Sequence, residues 1–174
     1  MKIRILFALL IFGVLFASAE AQRRDYMTEA EIEIVRNNQE VDSRLNVLTR
    51  MIDRRFAVLG VATGAPKPKK SEDDWGSEPT GSRSELLSDI KSLIEKAIDD
   101  IDNLAARVPE KTKAEIKGVN IFNKAVRDLG ASANRWMPYL KKEYDTAPDD
   151  KIRGSTAGAI EFCEQIIEAS SKLK

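Results

Sequence analysis

The chain of 174 residues contains no histidine and a single cysteine, Cys163. Without histidine there is no imidazole base, no imidazole metal ligand and no histidine-containing catalytic triad. A lone cysteine can form neither an internal disulfide nor a thiolate metal cage. Gly-rich phosphate loops, Gly-x-Ser-x-Gly and metal-spaced clusters are also missing. The sequence therefore predicts a non-enzymatic protein with no cofactor and no metal, whose stability depends on its core.

An excess of charge of either sign is lacking as well. The chain has 28 basic and 28 acidic residues, and removing residues 1–21 takes away Lys2, Arg4 and Glu20, which leaves 26 and 27. This balance argues against a general nucleic-acid binder, which carries a strongly basic surface.

The longest apolar run, which extends from Ile5 to Ala19, is too short to cross a bilayer. It contains 15 residues before Glu20, whereas a spanning helix needs about 20. Lys2 and Arg4 precede it, and small-x-small patterns end at Ala19 and Ala21. We therefore predict a signal peptide over residues 1–21, cleaved after Ala19 or Ala21, which leaves no spanning segment. Retention as an anchor is the alternative. The protein is expected to be periplasmic or secreted.

Capping boxes and apolar spacing indicate where the helices lie. Thr28 with Glu31 and Ser82 with Glu85 match the S/T-x-x-E pattern of helix starts. Ile32 and Val35 are the predicted inner residues of the first helix, and residues 37–40 interrupt its period. Four later segments carry apolar residues at steps of three and four. They are Val41–Leu59, Leu87–Val108, Val119–Leu140 and Ile152–Leu173.

Residues 60–83 have the composition of a linker. The segment contains Gly60, Gly64, Gly76, Gly81 and three prolines, together with a basic KPKK and an acidic EDD. Such a composition cannot sustain a core, so a flexible, disordered linker is expected. Trp75 is its one large aromatic residue. It either folds back onto the helices or is an exposed contact for a partner.

These patterns predict an all-α fold, because no segment shows sustained period-two alternation. Steps of three and four in several segments favour an antiparallel helical bundle of four to five helices. We expect residues 22–59 to be an N-terminal helical segment. Its helices, over 28–59, pack with the bundle core of residues 84–174 as one domain, and the linker lies between the first and second long helices.

The helix predicted around Val119–Leu140 also carries a strip of basic residues opposite its apolar side. At 100° per residue these residues fall within about 40° of one direction. They are Lys113, Lys117, Lys124, Arg127, Arg135 and Lys142. On the preceding segment, Glu85, Glu95 and Asp99 face away from the apolar stripe. The strip is either a site for an anionic partner, or half of a pair of solvated faces whose charges attract across the bundle.

Two further hypotheses concern the last two helices. Pro138 predicts a kink near Asn134, because its ring removes a backbone donor and clashes with the preceding turn. Such a kink would open an apolar cavity lined by Phe122, Trp136 and Phe162, which is the basis of an alternative function as a carrier of a small apolar ligand. Cys163 is predicted to be either a core residue or the link of a disulfide-bonded homodimer.

The segment from Arg36 to Leu45, RNNQEVDSRL, resembles uncharacterised exported bacterial all-α proteins of unknown function. In those proteins a short interruption near a glutamine also separates two early helices, and later helices follow a polar linker. The resemblance implies an all-α fold and an envelope location. It implies no activity and assigns no catalytic residues. Together these features predict an exported helical bundle that binds a protein or an anionic envelope surface.

Overall fold

A computed structural model describes residues 24–66, 75–105 and 113–173, and for residues 113–118 it describes the backbone alone. The described residues contain no strand and form five α-helices, which confirms the all-α prediction. The helices are α1 (Glu29–Asn37), α2 (Val41–Val58), α3 (Arg83–Ala105), α4 (Lys113–Asp145) and α5 (Asp150–Lys172). The predicted signal peptide over residues 1–21 lies outside the described residues.

Both predicted capping boxes are formed. The Thr28 hydroxyl accepts a hydrogen bond from the Glu31 N–H at 3.2 Å, and the Glu31 carboxylate accepts one from the Thr28 N–H at 3.0 Å. Ser82 and Glu85 make the same exchange at the start of α3. Each box satisfies backbone donors that the first helical turn leaves unpaired. The helix starts were therefore readable from the sequence.

The inner face of α1 differs from its prediction at one position. Val35 is buried as expected, but Ile34 and Glu31 are the other buried residues, while Ile32 is half buried. Residues 31, 34 and 35 lie on one side of a helix because they are three and four apart. A helix of nine residues offers two turns of pattern, which is too little to separate neighbouring faces.

The end of α2 is closed by a glycine. Gly60 has a φ of +78°, a conformation that other residues adopt at a cost. Its N–H donates to the Ala57 carbonyl at 2.9 Å, and the Val61 N–H donates to the Phe56 carbonyl at 2.8 Å. This Schellman arrangement satisfies the last carbonyls of α2 and turns the chain so that Val61 packs against the core.

Helices α2 to α5 occupy the four corners of a bundle. Helix α2 packs against α3 and α4, helix α5 packs against the same two helices, and α1 packs against α2. As a result, α3 and α4 occupy diagonal corners, and so do α2 and α5. The core between them is filled by large side chains without solvent exposure. They include Leu48, Met51, Ile52, Phe56, Leu87, Ile90, Leu93, Ile94, Trp136 and Leu140.

The helices that follow one another along the chain run antiparallel. In the pair of α2 and α3, Arg44 bonds Asp100 at 2.7 Å, while Arg55 lies near Asp89. Residue numbers therefore rise along α2 as they fall along α3. Helices α4 and α5 are joined by a connection of four residues after Asp145. Because a short connection leaves the second helix no room except to run back along the first, α4 and α5 are antiparallel.

Neighbouring helices that do not follow one another along the chain, such as α2 and α4, run in the same direction. Asp53 of α2 bonds Arg135 and Trp136 of α4, and Asp42 is close enough to Lys124 to act on its pKa. A shift of eleven positions along α2 thus corresponds to a shift of eleven or twelve along α4. The domain is two antiparallel hairpins that lie side by side, with α1 packed onto the first hairpin.

The described ends of the segment between α2 and α3 are held against the bundle. The Tyr139 hydroxyl donates to the Ala62 carbonyl at 2.8 Å, and Arg54 donates to the Ser77 carbonyl at 2.8 Å. Trp75 packs against the core, with the Arg54 guanidinium 5.3 Å from its ring centroid. Residues 67–74 of the predicted linker lie outside the described residues.

Helix α4 continues through Pro138 without a break. The predicted kink near Asn134 stays a prediction. Gly130 lies at a close approach of α4 and α5, because a Cβ built on it would collide with the Ser170 side chain, whose Cβ would be 2.6 Å away. Glycine at this position therefore sets how closely the two helices pack.

We expect Gly130→Ala to destabilise the fold by about 1–3 kcal/mol, because the new methyl group collides with Ser170. The collision outweighs the gain of about 1 kcal/mol that alanine brings within a helix. Gly154→Ala is the matched control, because no atom lies within 4 Å of the position that its new Cβ would take; it should stabilise the fold. Urea denaturation followed by circular dichroism measures both. A stabilised Gly130→Ala variant would contradict the close approach.

Candidate functional site

The basic strip is only partly an exposed surface in the folded chain. Lys124, Arg127 and Lys142 are exposed on α4. Lys113 and Lys117 belong to the first turns of α4, but their side chains lie outside the described residues. Lys124 donates to Asp128 at 2.6 Å, and this bond raises the pKa of the Lys124 ammonium group. The pair is exposed on both sides, so it leaves the strip accessible.

Arg135 was wrongly assigned to this exposed strip. Its side chain is 25 % exposed, and its guanidinium lies 3.2 Å from both the Asp53 carboxylate and the Thr63 carbonyl. Arg135 therefore links α4 to α2 and to the segment after α2. The reason is the corner arrangement: α2 is a neighbour of α4, so a side chain at the flank of the predicted strip meets Asp53 rather than solvent.

Trp136, the central residue of the predicted cavity, fills the core instead of lining an open space. It has no solvent exposure, and its indole N–H donates to Asp53 at 2.8 Å. The same carboxylate accepts a hydrogen bond from the Thr63 hydroxyl at 2.7 Å. A buried indole with a satisfied N–H is the arrangement expected of a structural tryptophan.

The two other predicted cavity residues are half buried. Phe162 packs against the core, and the Lys91 ammonium nitrogen is 5.9 Å from its ring centroid. Phe122 lies nearer the start of α4. Trp136 is thus accounted for as a buried core residue among the described residues, and the carrier hypothesis stays a prediction.

Cys163 is a core residue. Its side chain has no solvent exposure, and burial raises the pKa of its thiol to about 12. A thiol forms a disulfide through its thiolate and must reach a partner sulfur. In the folded chain Cys163 meets neither condition, so the predicted homodimer link would require the helix to open.

A cluster of buried charges, which the sequence did not reveal, joins α1, α2 and α3. Glu31 is completely buried, and Arg55 is 1 % exposed. The Arg55 guanidinium donates to both oxygens of Glu31 at 2.8 and 2.7 Å, and it also donates to the Tyr26 carbonyl at 2.6 Å. Arg54 adds a bond to Glu31 at 2.9 Å. This bidentate pair fixes the position of α1 on α2.

Asp89 of α3 extends the cluster to the first described residue of the chain. Arg24 donates to the two Asp89 oxygens at 3.0 and 2.8 Å, and its guanidinium also donates to the Thr80 carbonyl. The Arg55 Nε is 3.7 Å from Asp89 and has no hydrogen-bond partner among the described residues. The cluster therefore ties the chain before α1 and the chain before α3 to the same point.

The two buried carboxylates titrate in opposite directions. Burial favours the neutral form of Glu31, but the Arg55 and Thr28 hydrogen bonds outweigh burial and lower the Glu31 pKa below its ordinary value of 4.5. For Asp89 burial dominates and raises the pKa above its ordinary value, although Arg24 opposes this. Each carboxylate accepts two hydrogen bonds from one arginine, but Glu31 also accepts bonds from Arg54 and from the Thr28 N–H, whereas the negative charge of Glu31 adds to the rise of the Asp89 pKa.

The sequence contained a signal for these residues. Arg55 is four positions after Met51, and Asp89 lies three after Leu86 and four before Leu93, so both charges sit on apolar faces of their helices. A charge on an apolar stripe is buried with a partner or marks the edge of the stripe. The helical period alone cannot decide between these outcomes.

A second charged surface, which we call the acidic face, lies on α3. It consists of Glu95, Asp99 and Asp102, which are exposed and form no ion pair with any other described residue. Beside it is a depression of about 200 Å³ lined by Tyr26, Ser92, Glu95, Lys96 and Asp99. Burial, and then the negative charge of Asp25 and of the nearby α3 carboxylates, raises the Tyr26 pKa.

The acidic face and the basic strip point away from each other. They belong to α3 and α4, which occupy diagonal corners, and each is on the solvent side of its helix. The two helices do meet at one end, where Arg83 pairs with Glu143. The two charged surfaces are therefore solvated and lie on far sides of the core, and the choice between a partner site and a solvated face for the strip stays a prediction.

Among the described residues, no group of three or more Asp, Glu, Cys or His side chains is arranged to hold a metal ion. None of the described helices is long and apolar enough to cross a membrane. Comparisons with protein-family models, curated proteins and solved structures found no match for this chain. The resemblance to exported bacterial proteins of unknown function thus remains a prediction.

We expect Glu31→Gln to destabilise the protein by about 3 kcal/mol at neutral pH, because it leaves the buried Arg55 charge unpaired. The Glu31 pKa is lowered by folding, so its stabilising effect is complete above 4.5 and is lost as the pH falls through the folded pKa. The difference in the free energy of unfolding between the wild type and the variant should therefore disappear in acid. Urea denaturation at several pH values measures it. Glu33→Gln, on the exposed side of α1, is the control and should cost little.

The Cys163 thiol should not react with a thiol reagent such as DTNB in the native protein at neutral pH. Burial excludes the reagent, and the raised pKa keeps the thiol protonated. In guanidinium chloride one thiol per chain should react at once. Rapid modification of the folded protein, or a dimer on a non-reducing gel of the native sample, would contradict this burial.

Proposed function

We propose that this chain is an exported, non-enzymatic helical-bundle protein that binds an anionic partner through the basic strip of α4. The partner is an acidic protein face or the anionic surface of the cell envelope. One observation carries the proposal. Because α3 is diagonal to α4, the carboxylates of the acidic face cannot reach Lys124, Arg127 and Lys142, and these exposed side chains can contact another molecule.

The absence of reactive groups supports the non-enzymatic part of the proposal. The chain has no histidine, and its one thiol is buried in a protonated form. The buried carboxylates Glu31 and Asp89 are engaged by arginine side chains. A nucleophile or a general base must be within reach of a substrate. The Cys163 thiol and the two carboxylates are instead buried structural groups of the fold.

The expected binding is electrostatic and therefore depends on salt. Exposed charges act over about 8 Å at physiological ionic strength, and individual exposed pairs contribute little. Several basic residues on one face can act together on a surface that carries many negative charges. The predicted leader supports an envelope surface, because it would place the folded domain outside the cytoplasm.

We expect the triple variant Lys124→Gln, Arg127→Gln and Lys142→Gln to bind anionic probes about tenfold more weakly at low salt, because it removes three exposed charges from the strip. The probes are vesicles that contain phosphatidylglycerol and a soluble acidic protein, with neutral vesicles as a blank. Co-sedimentation measures the first probe and fluorescence anisotropy the second.

The matched control is Lys151→Gln with Arg153→Gln, which removes exposed charge from the start of α5. It should leave binding nearly unchanged. Equal binding by the wild type and the strip variant at low salt would refute the assignment of the strip, and binding to one probe alone would identify which kind of anionic partner the protein recognises.

A further inference from the structure

The acidic face and the exposed start of the basic strip lie at the same height along the bundle. Arg44, near the start of α2, bonds Asp100 of α3, which is next to Asp99. Asp42, also at the start of α2, acts on the pKa of Lys124. Both charged surfaces are therefore level with the first turns of α2, but they are on opposite corners. One end of the domain is negative on one side and positive on the other.

The acidic face has a shape that suits a long basic side chain. The depression beside it holds about 200 Å³ and opens between Tyr26 and the carboxylates of Glu95 and Asp99. The Tyr26 ring is half buried and forms one wall. A lysine or arginine end group placed there would have carboxylates on one side and an aromatic ring on the other. Lys96 also lines the depression, but its ammonium group is paired with Asp100 at 3.4 Å.

We propose that the anionic partner of the basic strip is the acidic face of a second copy of this chain, with Lys124 and Arg127 of one molecule against Glu95 and Asp99 of the next. This inference rests on the proposed function, because it names the partner of the same strip. The two faces differ, so the contact is heterologous and runs head to tail. Because the faces are level, successive copies stack side by side without a shift along the bundle.

The overall charge of the chain favours this contact. The predicted mature chain has 26 basic and 27 acidic residues, so copies do not repel one another, and a net charge near zero promotes association. Exposed ion pairs are weak, so the contact should be seen at high protein concentration and low salt. It should disappear at about 1 M salt, where screening acts within about 3 Å.

Charge reversal with mixing tests the proposal. The strip-reversed variant carries Lys124→Glu and Arg127→Glu, and the face-reversed variant carries Glu95→Lys and Asp99→Lys. Each alone should associate about tenfold more weakly than the wild type, because attraction becomes repulsion. A mixture of the two should associate again, because the strip-reversed variant then has two acidic surfaces and the face-reversed variant has two basic ones. Sedimentation velocity of the purified proteins at low and high salt measures association, and circular dichroism verifies folding.

Lys151→Glu with Arg153→Glu is the control, because it reverses exposed charges on α5 at the other end of the bundle; it should associate like the wild type. A wild type that stays monomeric at low salt, association that survives high salt, or a mixture that fails to associate would each overturn the proposed contact between the strip of one copy and the acidic face of the next. Weakened vesicle or acidic-protein binding by the strip variant in the same samples would show that the proposed function holds without it.

Discussion

The position of α1 and of the chain before it depends on the pairing of Glu31 with Arg55. A charge without solvent exposure must find a partner, and the partner here comes from another helix. Through this pair, α1 is held on α2, the Tyr26 carbonyl is held by the same guanidinium, and Asp89 brings α3 and Arg24 to the same point. Such pairs add little net stability over apolar residues of equal size, but losing one partner is costly. The cluster therefore fixes the relative positions of α1, α2 and α3 more than it adds to the free energy of unfolding.

The order of helices around the bundle has the largest consequence for function. Two hairpins lying side by side put α3 and α4 on diagonal corners. A neutral chain thereby gains one negative and one positive face, separated by a core of large apolar side chains.

The candidate site was predictable where it depends on one helix and unpredictable where it depends on two. The helical period correctly placed Lys124, Arg127 and Lys142 on the solvent side of α4. It failed for Arg135, because the nearby Asp53 belongs to α2 and is 82 positions away. Trp136 was correctly assigned to the apolar side, but whether it lines a cavity or fills the core depends on what packs around it, including the carboxylate that accepts its N–H.

The sequence by itself determined the all-α class, the capping boxes at Thr28 and Ser82, the break between α1 and α2, and the apolar stripe of each long helix. These features are local, because hydrogen bonding and side-chain direction repeat within a few residues along a helix. Only the tertiary structure decided which helices are neighbours, which charges are buried with partners, and which remain exposed. Those outcomes depend on contacts between residues far apart in the chain, and the helical period carries no information about them.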